Sequence, residues 1–102
     1  MKEQQAAKSM AALGHPLRLS LFRLLVRAGR QGLNFGEIQR HLDIPASTLT
    51  HHLSTLVQAG LVNQERLGRE VISRADFARV RETLEFLTAE CCTGVALQDE
   101  AG

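Results

Sequence analysis

The sequence contains no long apolar segment and no secretion signal. No run of residues approaches the roughly 20 consecutive apolar side chains that a membrane-spanning helix needs. The N-terminal segment MKEQQAAKS is polar, unlike a signal peptide. We therefore expect a cytoplasmic protein that has no membrane partner. A length of 102 residues suits one domain with a modest hydrophobic core.

An excess of charge of either sign is also lacking, since the formal net charge is only +1. This value argues against a protein that coats nucleic acid without sequence preference, because such binding depends on many contacts of Lys and Arg to phosphate. The charge is uneven along the chain: residues 1 to 29 carry +4, residues 30 to 74 carry +1 and residues 75 to 102 carry −4. The acidic end should face away from phosphate, and a nearly neutral chain favours two copies on one nucleic-acid site.

The motifs of common enzymes are missing as well. The sequence shows no nucleophile with a base and an orienting residue, and no phosphate-binding loop, so we predict that the protein is not an enzyme. Cysteine is scarce, because Cys91 and Cys92 are the only two and they are adjacent. Neither a C-x-x-C pair nor a nearby histidine accompanies them, which disfavours a structural zinc site with four ligands.

We expect residues 45 to 62 to form the main functional surface, which the rest of the chain supports and exposes. The apolar side chains of this stretch recur at the spacing of a helix with one buried stripe; they are Leu49, Leu53, Leu56 and Val57. The other face carries hydrogen-bonding side chains and no carboxylate, which suits contact with a polyanion or, alternatively, an ordinary solvated surface. Gly60 follows the last periodic turn and predicts a left-handed helix end.

A shorter helix is predicted immediately before this stretch, over residues 34 to 42, with Asn34 as its N-cap and Glu37 as the capping-box partner. The connection DIP has the length expected in a helix-turn-helix, whose second helix enters the major groove of DNA. We therefore predict operator contacts from the start and outer face of the second helix. The predicted contact residues are Ser47, Thr48, Thr50, His51 and Ser54. His52 lies nearer the packed side and is predicted to be structural.

Two short strand-like runs follow, over residues 61 to 66 and 70 to 74. The glycine of the intervening Leu-Gly-Arg sequence predicts a β-hairpin. A last long helix is predicted over residues 75 to 92, and its apolar stripe, extended by one turn, reaches Cys91. Residues 93 to 102 have no strong pattern and are predicted to form a flexible tail.

Taken in order, several strings resemble the ArsR/SmtB family of winged helix-turn-helix repressors. They are ALGHPLRLSLFRLL (residues 12 to 25), STLTHHLSTLVQAGLV (47 to 62) and ERLGREV (65 to 71). The resemblance covers nearly the whole chain. It implies a mainly α-helical domain over residues 1 to 92 with a small β-hairpin wing. Arg66 and Arg69, near the tip of the wing, would then contact phosphate or the minor groove, although ordinary solubilising charge would look the same.

The resemblance also implies a symmetric homodimer that forms through the N-terminal and C-terminal helices and binds double-stranded operator DNA. Both terminal helices carry apolar stripes that a second copy of the chain would shield from water. The predicted interface residues are Ala6, Met10, Phe77, Val80, Leu84 and Leu87.

The adjacent cysteines favour ligand capture over a structural disulfide. Their Cα atoms, about 3.8 Å apart across a trans peptide, are closer than the roughly 4.4 to 6.8 Å usual for a disulfide. Thiolates also select soft metals over hard ones. The string LTAECCTG resembles the ending of arsenic-responsive family members. This likeness implies that As(III), methylarsenite or Sb(III) binds Cys91 and Cys92 as an inducer, while DNA binding itself needs no cofactor.

This ending departs from the family pattern in two respects. Thr93 stands where a glycine would follow the pair, and a third cysteine is absent from the sequence. As(III) would therefore need an external third ligand, whereas methylarsenite would need only the two thiolates.

Two other functional classes stay open. A thiol-redox or sulfide-responsive repressor of the same fold would use the same cysteines, although a place at a helix C-terminus beside Glu90 disfavours a reactive thiolate. A constitutive DNA-binding module would carry its cysteines incidentally.

Overall fold

The computed structural model describes residues 1 to 96, which form five α-helices and three short strands. In chain order these are α1 (Glu3–Leu13), α2 (Pro16–Ala28), β1 (Leu33–Asn34), α3 (Phe35–Leu42), α4 (Ala46–Gln58), β2 (Val62–Leu67), β3 (Glu70–Ala75) and α5 (Phe77–Thr88). A 3₁₀ turn, Gly29–Gln31, joins α2 to β1. The predicted mainly α-helical fold with a β-hairpin wing is confirmed. Of the predicted tail, residues 97 to 102 lie outside the described residues.

The sheet has the strand order β1-β3-β2, with both pairings antiparallel. In the wing, Leu67 pairs with Glu70, so the hairpin turn consists of Gly68 and Arg69. Strand β1 was not predicted, because a strand of two residues is too short to show an alternating pattern. It pairs with Ser73 and Ile72 in the middle of β3 and thereby ties the wing to the helix-turn-helix.

The core lies where α2, α3 and α4 meet the base of the wing. The apolar side chains with no exposed surface are Leu21, Leu25, Ile38, Leu49, Leu56 and Leu61. The helix starts follow local chemistry. Pro16 opens α2, and the preceding His15 accepts a hydrogen bond at Nδ1 from the Leu17 amide at 3.1 Å. Asp76 caps α5 by accepting from the Arg79 amide at 3.0 Å.

Gly60 ends α4 as predicted. Its φ angle of +79° places it in the left-handed region, which glycine adopts without steric cost. A Cβ atom at this position would lie 2.8 Å from the Arg79 guanidinium, so the absence of a side chain also lets the Arg79 side chain lie over the end of α4.

The predicted extent of the last helix is wrong at its C-terminal end, because α5 stops at Thr88 rather than at Cys92. The Ala89 amide bonds to the Phe86 carbonyl in a tightened last turn. Beyond it, Glu90 and Cys92 have φ angles of +59° and +67°, which no α-helix accommodates. The cysteines therefore lie in an exposed turn, and Cys91 does not continue the apolar stripe of α5.

Helices α1 and α5 pack against each other. Ala6 is only 1% exposed, so its place is in the protomer interior and the prediction of an interface role for it needs correction. Val80 also packs partly against the core. Apolar surface remains on both helices at Met10, Phe77, Leu84 and Leu87, the last two being 59% and 54% exposed. Within residues 1 to 96, no helix is long and apolar enough to cross a membrane.

Candidate nucleic-acid interface

Helices α3 and α4 form the predicted helix-turn-helix. The two residues predicted to cap the N-terminus of α3 form the expected hydrogen bonds. Asn34 Oδ1 accepts from the Glu37 amide at 2.8 Å, and Glu37 Oε1 accepts from the Asn34 amide at 2.9 Å. The turn begins at Asp43, which takes the left-handed conformation with φ of +51°. Aspartate tolerates this region better than most residues, so a glycine is not required there.

The outer face of α4 presents four of the five predicted contact residues to solvent, namely Ser47, Thr50, His51 and Ser54, whereas Thr48 is half-buried. The exposed Thr50 hydroxyl donates to the Ala46 carbonyl at 2.9 Å, and its oxygen can still accept a hydrogen bond. No carboxylate occurs along α4. This surface can therefore approach phosphates and base edges without charge repulsion.

His51 is the largest exposed side chain among these residues and provides a direct test. His51→Ala should weaken binding to the operator by roughly 1 to 3 kcal/mol, the usual value of a good base contact. His41→Ala removes an exposed histidine from α3 and should change the affinity much less. Fluorescence anisotropy with labelled operator DNA measures both. Equal affinities for wild type and His51→Ala would contradict this placement.

His52 is structural, as predicted, and is 8% exposed. Its Nδ1 atom lies 3.3 Å from Arg18 Nη1. Because arginine can only donate, Nδ1 acts as the acceptor and the neutral ring carries its proton on Nε2. Arg18 also donates from Nε to the Ala12 carbonyl at 2.7 Å, so a single guanidinium joins the C-terminal end of α1 to the recognition helix. The sequence near Arg18 does not reveal this role, since the partner of Arg18 lies 34 positions away.

Two further histidines approach the ring of His52. The ring centroids of His15 and His52 are 4.6 Å apart, and those of His51 and His52 are 5.2 Å apart. Burial lowers the pKa of His52 below the usual value of 6.5, and His15, Arg18 and His51 lower it further through positive charge.

This environment predicts a loss of stability in acid. The unfolded chain takes up a proton at His52 before the folded chain does, so the stabilisation is complete above pH 6.5 and is lost as the pH falls below that value. The free energy of unfolding from urea titrations at about pH 7.5 and 5.5 should show this decrease. His52→Asn should make the decrease in unfolding free energy between the two pH values smaller. His41→Asn should leave that decrease unchanged. A pH dependence that His52→Asn leaves unchanged would rule out His52 as its source.

The wing exposes both predicted arginines, Arg66 and Arg69, at and beside its turn. A third arginine, Arg74, is bound within the protein, since its Nη1 lies 2.8 Å from Glu65 Oε1 and its Nε donates to the Arg30 carbonyl. Among the described residues, neither Arg66 nor Arg69 forms an ion pair. Their charges are available to a phosphate backbone.

The cysteine pair is solvent-exposed, and the two Sγ atoms lie 2.8 Å apart on the same side of the turn. The turn is held by hydrogen bonds from the Cys91 amide to the Thr88 carbonyl and from the Thr93 amide to the Glu90 carbonyl. A hydrogen bond with Cys92 and partial desolvation raise the pKa of the Cys91 thiol above 9.0. Among residues 1 to 96, no group of three His, Cys, Asp or Glu side chains could hold a metal ion.

Comparison with known proteins shows to which family the chain is related. A family model described as a helix-turn-helix domain matches residues 13–65. The HTH-type transcriptional regulator YgaV of Escherichia coli K12 is 30% identical over 69 residues, which cover 68% of each chain. The biofilm growth-associated repressor of Agrobacterium fabrum is 30% identical over 88 residues, or 86% of this chain and 73% of that protein.

Solved structures agree with these relatives. An ArsR-like transcriptional regulator from Rhodococcus sp. RHA1 superposes with a TM-score of 0.74 at 27% identity, over 82% of this chain and 76% of the other. The homodimeric winged helix-turn-helix DNA-binding domain Mb0332 of Mycobacterium bovis has a TM-score of 0.67 at 22% identity, over 93% and 89%, and shares the fold. These proteins are DNA-binding regulators and not enzymes. The chain belongs to the ArsR/SmtB family of winged helix-turn-helix transcriptional regulators.

Proposed function

We propose that two copies of this chain bind an operator as a homodimer and repress transcription until a trivalent arsenical, captured by Cys91 and Cys92, releases them. The assignment of an arsenical as the ligand is supported by the two exposed sulfur atoms of Cys91 and Cys92, which lie 2.8 Å apart. A single soft ion can contact both with little rearrangement. Repression of a chromosomal gene would place the protein in the cytoplasm.

Dimerisation is supported by the apolar side chains that α1 and α5 leave uncovered, Met10, Phe77, Leu84 and Leu87. A two-fold dimer would bury each of these surfaces against its own copy. It would also set two α4 helices against half-sites about 34 to 36 Å apart. The exposed turn follows α5 directly, so a ligand at the cysteines would act at the edge of this interface.

The binding chemistry requires two thiols and releases water. Each thiol forms an S–As bond and gives its proton to a hydroxyl group on arsenic, which departs as water. Methylarsenite, with two hydroxyl groups, is satisfied by this exchange. As(III) and Sb(III) would keep one hydroxide, or would take a small external thiol as third ligand.

A thiol-redox or sulfide-responsive repressor is the second candidate, and the short Sγ–Sγ distance is the observation that favours it. Two-electron oxidation would join the same sulfur atoms in a disulfide: the two thiols lose their protons, and a peroxide is reduced at its O–O bond to an alcohol or water, or a persulfide at its S–S bond to a thiol and hydrogen sulfide. The raised pKa of Cys91 lowers the thiolate fraction and slows such oxidation. The third candidate, a constitutive DNA-binding module, would show no response to either class of reagent.

One titration separates these candidates. The purified, reduced protein is bound to DNA from its own promoter, and release is followed during addition of As(III), methylarsenite, Sb(III), Zn(II), hydrogen peroxide or an organic persulfide. Release by arsenicals and not by Zn(II), peroxide or persulfide is the expected result. Release by peroxide or persulfide alone would favour the redox or sulfide-responsive repressor, and stable binding under all conditions would identify a constitutive module.

A further inference from the structure

Arg18 lies at the junction of three helices. It belongs to the first turn of α2, and its half-buried side chain reaches both α1 and α4. Its Nε donates to the Ala12 carbonyl at 2.7 Å, its Nη2 donates to the Ala11 carbonyl at 3.4 Å, and its Nη1 lies 3.3 Å from His52 Nδ1. One planar guanidinium therefore binds the end of one helix and the middle of another.

The C-terminal end of α1 depends on this contact, because the last turn of α1 contains no basic residue of its own. The final carbonyl groups of a helix lack partners within it and carry partial negative charge. Arg18 supplies the missing cation from the next helix. Met10, which immediately precedes Ala11, is part of the exposed apolar surface that the proposed dimer would cover. The guanidinium thus binds α1 beside the proposed dimer interface.

The contact of Arg18 with α4 lies beside the recognition face. The buried ring of His52 is packed on a second side by His15, the N-cap of α2, with the two ring centroids 4.6 Å apart. His51, the exposed residue predicted to contact the operator, immediately precedes His52. Two side chains from the start of α2 therefore hold the recognition helix next to a residue that faces DNA.

Hydrogen bonds define a direction that apolar packing does not. Apolar packing between α1, α2 and α4 is non-directional, whereas hydrogen bonds prefer defined angles and the arginine donors form a rigid fork. We propose that Arg18 is a positioning residue that sets the placement of α4 relative to α1, and thereby the half-site spacing that the homodimer accepts. Two-fold symmetry repeats this placement in both protomers. The proposal rests on the homodimer of the proposed function and does not involve the cysteines.

Operators of altered spacing test the proposal. Footprinting on DNA from the protein's own promoter locates the two half-sites, and one base pair is then inserted or removed between them. By fluorescence anisotropy, the wild type should lose roughly 10-fold to 100-fold in affinity, because simultaneous engagement of both half-sites is impaired. Arg18→Gln has too few donors to hold both helices and should lose about threefold or less. Both proteins should bind an isolated half-site equally.

Variants of the acceptor and of a neighbouring arginine provide the controls. His52→Leu removes the acceptor on α4 and should relax the spacing preference as Arg18→Gln does. His52→Asn keeps an acceptor oxygen bonded to Cγ and should preserve the preference. Arg27→Gln removes an exposed arginine from α2 and should also preserve it. If Arg18→Gln does not fold, as judged by circular dichroism and thermal unfolding, His52→Leu provides the same test.

Two results would overturn the positioning role while leaving the homodimer intact. One is a spacing penalty in Arg18→Gln and His52→Leu equal to that of the wild type. The other is a loss of affinity by these variants that is as large on an isolated half-site as on the full operator, which indicates a purely structural contact. A wild-type protein that binds an isolated half-site as tightly as the full operator would overturn the homodimer, and this proposal with it.

Discussion

Gly32→Ala should lower the free energy of unfolding by roughly 3 kcal/mol, from backbone strain and overpacking together. The φ angle of Gly32 is +65°, and a Cβ atom there would lie 2.6 Å from the Ser73 carbonyl oxygen and 2.7 Å from Arg74 Cγ. The first of these atoms belongs to the backbone of β3 and cannot move aside by a rotamer change. An added methyl group therefore forces β1 away from β3. Urea denaturation at neutral pH measures the loss.

Gly29→Ala is the matched control for this experiment. Gly29 has nearly the same φ angle, +67°, but a Cβ atom at this position would meet nothing within 4 Å. Its ψ angle is −146°, and its substitution should cost only the strain of this backbone conformation, which is nearly restricted to glycine, about 2 kcal/mol. The difference between the two variants isolates the close approach at Gly32. Equal destabilisation would show that the contact with β3 contributes nothing beyond backbone strain.

Replacement of both cysteines by serine should leave operator affinity unchanged and abolish release by arsenicals. The thiols lie in the turn beyond α5, whereas the recognition face lies on α4, so DNA binding does not require sulfur. In the wild type, inducer binding should weaken DNA affinity by roughly 5-fold to 150-fold, the usual range of an allosteric coupling. Fluorescence anisotropy with and without methylarsenite or As(III) measures this factor.

The single variants Cys91→Ser and Cys92→Ser should each lose most of the response, because one thiolate cannot close the two-sulfur site. Thr93→Ser is the control, since it alters the adjacent side chain and keeps both thiols. Normal ligand-induced release by the double serine variant would eliminate the pair as the sensor. Weakened DNA binding by this variant without ligand would instead indicate a structural role for the turn.

The elements whose signals are local could be predicted from the sequence. Helical spacing of leucines gave α4, the Asn34 and Glu37 pair marked the start of α3, and Gly60 marked a helix end. Contacts that depend on the folded chain could not be predicted. Arg18 meets His52 across 34 positions, and Arg74 reaches the Arg30 carbonyl across 44.

The end of α5 shows a different limit. Apolar spacing continued to Cys91, but the Thr88 hydroxyl bonds back to the Leu84 carbonyl and the chain then enters left-handed conformations. A periodic pattern cannot reveal such a change in backbone direction. Ala6 is a similar case, because a small residue on an apolar stripe suits a protomer core and a subunit interface equally well.

Asn34 links three parts of the protomer at one point. Its backbone pairs with Ile72 of the wing strand, its Oδ1 caps α3, and its Nδ2 binds Glu70 at the outer end of β3. The position of α3 relative to the wing is thus fixed before DNA arrives, and the corresponding conformational entropy is already lost during folding. Association with the operator then needs no loop ordering within a protomer, which lowers its entropic cost. In the proposed dimer, the relative placement of the two protomers would then be the coordinate that a ligand changes.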